Sequence, residues 1–84
     1  MQRMFRKYER VFRLTKEVSA SLRGSRPLAS QNIPQRSKIK ILSSSSCDFY
    51  EFTVVDCVLK SIGREQVYVI ARDELDSWIT EAEI

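Results

Sequence analysis

The residues best suited to chemistry are arginines near the start of the chain. Arg3, Arg6, Arg10 and Arg13 recur at spacings of three or four residues, which places neighbouring side chains on one side of an α-helix. A guanidinium offers forked hydrogen-bond donors that match phosphate oxygens. The spacing therefore predicts a non-enzymatic module that binds the phosphate backbone of a nucleic acid, DNA or RNA, with little reading of the bases. The residues assigned to this contact are Arg3, Arg6, Arg10, Arg13, Lys16, Arg23 and Arg26.

An apolar stripe runs through the same segment. Five of its members recur at spacings of three, four and seven residues, and Phe5 and Phe12 lie at its edge. This pattern is typical of an amphipathic helix and predicts one over residues 2–23. Gly24 and Pro27 supply the signals that end it. The stripe consists of Met4, Phe5, Tyr8, Val11, Phe12, Val18 and Leu22.

That stripe is too large an apolar surface to leave in water, which opens a second function of a different class. The helix could pack on the chain's own sheet or on another chain. In the second case the protein is a small structural or adaptor subunit of a larger assembly, such as a phage or a multi-subunit complex. The apolar stripe is then the protein interface, and the arginines face an acidic protein surface. A homo-oligomer is also open.

The remaining chain divides into a linker and a β-body. Residues 24–37 hold both prolines and predict a linker without regular structure. Lys38–Leu42 alternates, and Phe49–Leu59 and Gln66–Ala71 are rich in aromatic and β-branched residues, which predicts strands and a hairpin. A helical turn capped by Asp73 and a short last strand complete residues 38–84. The aromatic residues of this body, Trp78 among them, are assigned to its core.

The predicted fold class is α+β. An N-terminal amphipathic helix is joined to a small, strongly bent antiparallel sheet of three or four strands. The order of elements, with one helical turn before the last strand, resembles SH3-like barrels. A three-stranded meander packed by the N-terminal helix is the alternative.

Charge is divided unequally along the chain of 84 residues, whose net charge is +3. Residues 1–40 hold eleven Lys and Arg against two Glu, a net of +9, whereas residues 41–84 hold three against nine carboxylates, a net of −6. Such asymmetry predicts a basic arm on an acidic body, with nucleic acid or an acidic protein surface as the partner.

Composition argues against several other classes of function. The chain has no His, two Cys and two Gly, so it lacks the commonest general base, a metal site of four Cys or His ligands, and a glycine-rich phosphate loop. We therefore expect no enzyme, no metal and no cofactor. The sequence contains no run of 18 apolar residues, so it predicts no membrane span. A membrane is therefore not expected as a partner. Cys47 and Cys57 are expected to be buried thiols of a cytoplasmic protein.

Overall fold

A computed structural model describes residues 10–24, 29–60, 62 and 65–81, and these ranges form one antiparallel β-sheet with a single helical turn. Within them the elements are β1 (Arg10–Leu14), β2 (Val18–Leu22), β3 (Ser30–Ile33), β4 (Lys38–Ile41), β5 (Phe49–Asp56), β6 (Tyr68–Ala71), α1 (Arg72–Asp76) and β7 (Ile79–Glu81). The strand order in the sheet is β3-β2-β6-β5-β4-β1-β7.

The order of the strands requires the sheet to curl. Three strands lie between β2 and β1, so a flat sheet would separate the two by about 19 Å at the usual spacing of about 4.8 Å. Only residues 15–17 connect them, and the step from Leu14 to Val18 spans at most about 14 Å. Backbone hydrogen bonds hold the resulting corner: Leu14 N–H donates to the Ser37 carbonyl and Arg36 N–H donates to the Leu14 carbonyl, both at 2.9 Å.

Curling encloses a core between the inner faces of the strands. Phe52 and Tyr68 lie at its centre, fully buried, with ring centroids 5.7 Å apart. The core cluster consists of Leu14, Val18, Ala20, Ile33, Ile39, Phe52, Val54, Ile62, Tyr68, Ile70 and Leu75. Inward residues alternate with outward polar residues along β2 and β4, as the pleat requires.

The helix predicted over residues 2–23 is wrong for all of its described part. Residues 10–14 and 18–22 are strands, and residues 15–17 form the connection between them. Val18, Ala20 and Leu22 face the core, so the stripe has a period of two where a helical period was inferred. The spacing of four from Val18 to Leu22 fits either period, whereas the spacing of seven from Val11 to Val18 fits only a helix. β1 and β2 pair with β3, β4, β6 and β7. This pairing favours strands over a helix, because it satisfies the backbone hydrogen bonds of both segments within the sheet. Residues 2–9 lie outside the described ranges.

The predicted linker and the number of strands also need correction. Residues 24–37 contain β3, which pairs with β2 along its whole length and contributes the fully buried Ile33 to the core. The described ranges hold seven strands, where three or four were expected. The predicted class, α+β with an N-terminal helix, is thus wrong: the described ranges are mostly antiparallel β-sheet, and β1 and β2 belong to the same sheet as the strands after residue 38.

The strands and the helical turn predicted for the second half of the chain are confirmed, although β5 ends at Asp56 and not at Leu59. The strand at Lys38–Ile41 exists, β5 and β6 pair antiparallel as a hairpin, and a helical turn precedes the short β7. A further detail is wrong: Ala71, not Asp73, is the N-cap of α1, and it makes no side-chain capping hydrogen bond. The cysteines are free, but Cys47 is exposed and Cys57 is half-buried, so the prediction of two buried thiols is also wrong.

Candidate nucleic-acid interface

Three cations share the outer face of the sheet where β1 lies beside β4. Directly paired residues of antiparallel strands point to the same face, and Arg13 pairs with Lys38 while Val11 pairs with Lys40. Ile39, between the two lysines, is fully buried on the inner face. Arg13, Lys38 and Lys40 therefore project outward together, and we call them the cationic face.

A fourth cation adjoins the cationic face at the turn between β3 and β4. The Arg13 guanidinium donates through Nη1 to the Arg36 carbonyl oxygen at 3.5 Å, so the two arginines are neighbours. Arg36 has a φ of 75°, a left-handed conformation that costs a non-glycine residue about 1–2 kcal/mol. Both arginines are exposed, as a contact with a large anion requires.

Few acidic groups oppose these charges. Asp56 is the direct cross-strand partner of Lys38 and borders the cationic face at its far end. In the described ranges neither Arg13 nor Lys40 forms an ion pair. Arg13 and Lys40 therefore carry charge that no ion pair compensates within this part of the chain.

The other cations assigned from the sequence do not join it. Lys16 lies with its Nζ 4.4 Å from the centre of the Trp78 ring, a cation–π contact. Arg23 forms an ion pair with Glu51 at 2.8 Å. The structure describes only the backbone of Arg10, which begins β1, and Arg3, Arg6 and Arg26 fall outside the described ranges.

The apolar residues assigned to a protein interface are used within the chain wherever the structure describes them. Val11 and Val18 are buried, and Phe12 and Leu22 are partly buried against the core. Because these four side chains are already buried or partly buried, they do not form an exposed stripe. Met4, Phe5 and Tyr8 fall outside the described ranges.

Sequence reasoning placed Phe49 in the core, and the structure places it outside. Its side chain is 49% exposed, whereas Phe52 and Tyr68 are fully buried. Phe49 borders a groove of about 420 Å³ on the outer face of β2, β5 and β6. The alternation of β5 is the signal that could have found it, because a strand with Phe52 and Val54 inward must turn residues 49, 51 and 53 outward.

A second polar cluster joins α1 to the sheet. The Tyr50 hydroxyl donates to Asp76 Oδ1 at 2.6 Å, and the Arg72 guanidinium stacks 4.2 Å above the Tyr50 ring centre. Arg72 also donates to the Ser46 carbonyl through Nη2 at 2.6 Å and Nε at 3.1 Å. The hydrogen bond to Asp76, with some desolvation, raises the pKa of Tyr50 above its ordinary value of 10.0. These contacts fix the helical turn and leave the Tyr50 hydroxyl protonated at neutral pH.

The described ranges contain no group of three or more His, Cys, Asp or Glu side chains arranged to hold a metal ion. Nor does any helix in them have the length and apolar character to cross a membrane.

Comparison of the chain with protein-family models, with curated proteins and with solved structures finds no match.

Proposed function

We propose that this protein binds the phosphate backbone of a nucleic acid through the cationic face of β1 and β4. This keeps the partner predicted from the sequence and moves the contact from a helix to a sheet. The observation that carries the proposal is the direct cross-strand pairing of Arg13 with Lys38. The pairing places two cationic side chains on one face beside Lys40, so a single polyanion can contact all three.

The spacing of the cationic face suits a repeating anion. Directly paired side chains have Cβ atoms about 5 Å apart, and Lys38 and Lys40 lie about 7 Å apart along β4. Arg36 extends the series around the corner. A row of cations at such intervals can contact successive phosphates, and each phosphate it neutralises releases counterions.

A double charge reversal, Arg13→Glu with Lys40→Glu, tests the proposal. We expect at least a tenfold weaker affinity for a fluorescein-labelled single-stranded 12-mer, measured by anisotropy at 50 mM salt. The affinity of the unmodified protein should fall steeply between about 50 and 200 mM salt. The variant should show a shallower dependence, because the slope of log K against log[salt] is about −0.7 for each contacted phosphate of a single strand.

Two controls make the result decisive. Lys60→Glu reverses an exposed cation in the connection after β5 and should leave the affinity within twofold. The double variant should also unfold at the same urea concentration or a higher one, because the carboxylate introduced at position 13 would face Lys38 as an opposite charge. Unchanged affinity of the double variant, or an equal loss in Lys60→Glu, would contradict the proposal.

The alternative, a structural or adaptor subunit that docks through apolar residues of 1–23, gains no support from the described contacts. Four of its seven interface residues are buried or partly buried within the described structure, and a side chain so placed offers little area to a partner. That alternative stays a prediction from the sequence.

A further inference from the structure

We infer that the ligand is a single-stranded nucleic acid and that one of its bases lies in the groove beside Phe49. This rests on the proposed function, and it adds the class of nucleic acid and a base-contacting residue. The inference starts from the half-exposed Phe49 ring and from the sheet face on which it lies.

The groove and the cationic face lie on the same side of the sheet. Phe49 pairs with Ala71, Glu51 pairs with Val69, and Val69 also pairs with Ser21, so these residues form the outer face of β5, β6 and β2. Thr53, two residues beyond Glu51, pairs with Lys40. The outer face is therefore continuous from the groove to the cations, and Phe49 lies about 13 Å along β5 from the position opposite Lys40.

The walls of the groove suit a flat ring with polar edges. Phe49, Val69 and Ala71 supply an apolar surface, and Ser19, Ser21 and Glu74 supply hydroxyl and carboxylate groups around it. Gly24 also borders the groove, with nothing within 4 Å of the position a Cβ would take. A nucleobase combines an apolar face, which stacks on an aromatic ring, with amino and carbonyl groups at its edge.

The path between groove and cations carries one carboxylate, and that carboxylate is neutralised. Glu51 accepts from Arg23 Nη1 at 2.8 Å and from the Ser44 hydroxyl at 2.5 Å. A phosphate passing this point therefore meets an ion pair whose Arg23 side chain remains half exposed. The sheet face offers a route for a backbone between its base-stacking end and its cationic end.

A duplex does not fit this arrangement. Its bases are stacked and paired inside the helix, so an aromatic side chain on a sheet face cannot reach a ring face, whereas the unstacked bases of a single strand are available. The cationic face alone would not distinguish the two, since both present phosphates. Phe49 is therefore expected to provide the preference for single strands.

An oligonucleotide without bases separates stacking from charge. The probes are a labelled 12-mer of deoxythymidine, an abasic deoxyribose-phosphate 12-mer, and a 12-base-pair duplex. We expect the unmodified protein to bind the deoxythymidine 12-mer about tenfold more tightly than the abasic one, as one stacked base would give. Phe49→Ala should remove that difference and leave the affinity for the abasic strand within twofold.

Three further variants distinguish base stacking from charge and from unspecific effects of mutation. Phe49→Tyr keeps an aromatic face and should retain the preference for bases, and Val58→Ala truncates a side chain that is 84% exposed elsewhere and should change nothing. Arg13→Glu with Lys40→Glu should weaken binding of all three probes by a similar factor.

Equal affinity of the unmodified protein for the deoxythymidine and abasic strands, with strong salt dependence, would overturn the inference and leave the proposed function standing. Failure of the charge reversal to weaken any probe would remove both.

Discussion

Single residues set local costs that the rest of the sheet must offset. Ser37 is 3% exposed, and its hydroxyl has no hydrogen-bond partner among the described residues. The neighbouring Arg36 holds a left-handed backbone conformation. Both lie at the corner where the carbonyl of Ser37 and the N–H of Arg36 bond to Leu14. The corner thus keeps its backbone hydrogen bonds at the expense of a buried hydroxyl and a strained φ.

Replacing Ser37 with Ala should not destabilise the protein and should raise its free energy of unfolding by up to about 1 kcal/mol, because the buried hydroxyl that lacks a partner is removed. Urea denaturation measures the change. Ser45→Ala is the matched control: its hydroxyl donates to the Leu42 carbonyl and accepts from Glu51 N–H, so its loss should cost about 1 kcal/mol. A Ser37→Ala variant as unstable as Ser45→Ala would contradict this account.

At the scale of elements, α1 is too short to be stable alone and depends on contacts with β5 and the loop before it. A helix of five residues cannot offset the cost of nucleation. Leu75 buries its side chain in the core, Asp76 accepts from Tyr50, and Arg72 donates to Ser46. The turn therefore exists because the sheet holds it, and it positions Glu74 at the edge of the groove.

The titration of Tyr50 reports on that attachment. Its pKa is raised in the folded protein chiefly by the hydrogen bond to Asp76, so the folded state keeps the phenol proton at a pH where the unfolded chain loses it. The resulting stabilisation is present below about pH 10 and is lost as the pH rises through the raised value.

Asp76→Ala should bring the Tyr50 pKa back toward 10, measured by ultraviolet difference titration with Tyr50→Phe to identify the signal. Asp73→Ala, on the same turn, should leave that titration unchanged; an equal effect of both would contradict the assignment.

At the scale of the whole molecule, one small core supports the seven strands of the described ranges. A chain of this length buries only about 60–65% of its unfolded surface, and its total stability is on the order of 5–10 kcal/mol. Phe52 and Tyr68 lie at the centre of that core. The loss of either ring would therefore remove a large part of the stability.

Phe52→Ala should lower the free energy of unfolding by about 3–5 kcal/mol, because it removes buried contacts and leaves a cavity. Thermal denaturation followed by circular dichroism measures the loss. Phe49→Ala is the matched control, since its ring is half exposed and its removal should cost less than about 1 kcal/mol. Similar losses of unfolding free energy in the two variants would contradict the inward position of Phe52 and the outward position of Phe49 on β5.

Local sequence was sufficient to identify several elements. The alternation of Lys38–Ile41, the β-branched and aromatic residues of β5 and β6, and the helical turn at Arg72–Asp76 were all predictable. Each has a strong pattern within a few residues. The lysines at 38 and 40 followed from the same alternation, since an inward Ile39 requires outward neighbours. The charge imbalance between the two halves of the chain was likewise a property of composition alone.

Tertiary structure decided the conformation of residues 10–22 and the composition of the outer face. Whether residues 10–22 form a helix or two strands depended on partners far along the chain, because β1 pairs with β4 and β7, and β2 pairs with β3 and β6. The spacing of four from Val18 to Leu22 fitted both periods, and only those pairings selected the period of two. The same pairings brought Arg13 opposite Lys38, 25 residues later in the chain, and turned Phe49 outward beside Ala71. A cationic face assembled across strands has no signature in linear spacing, since its members become neighbours only when the sheet forms.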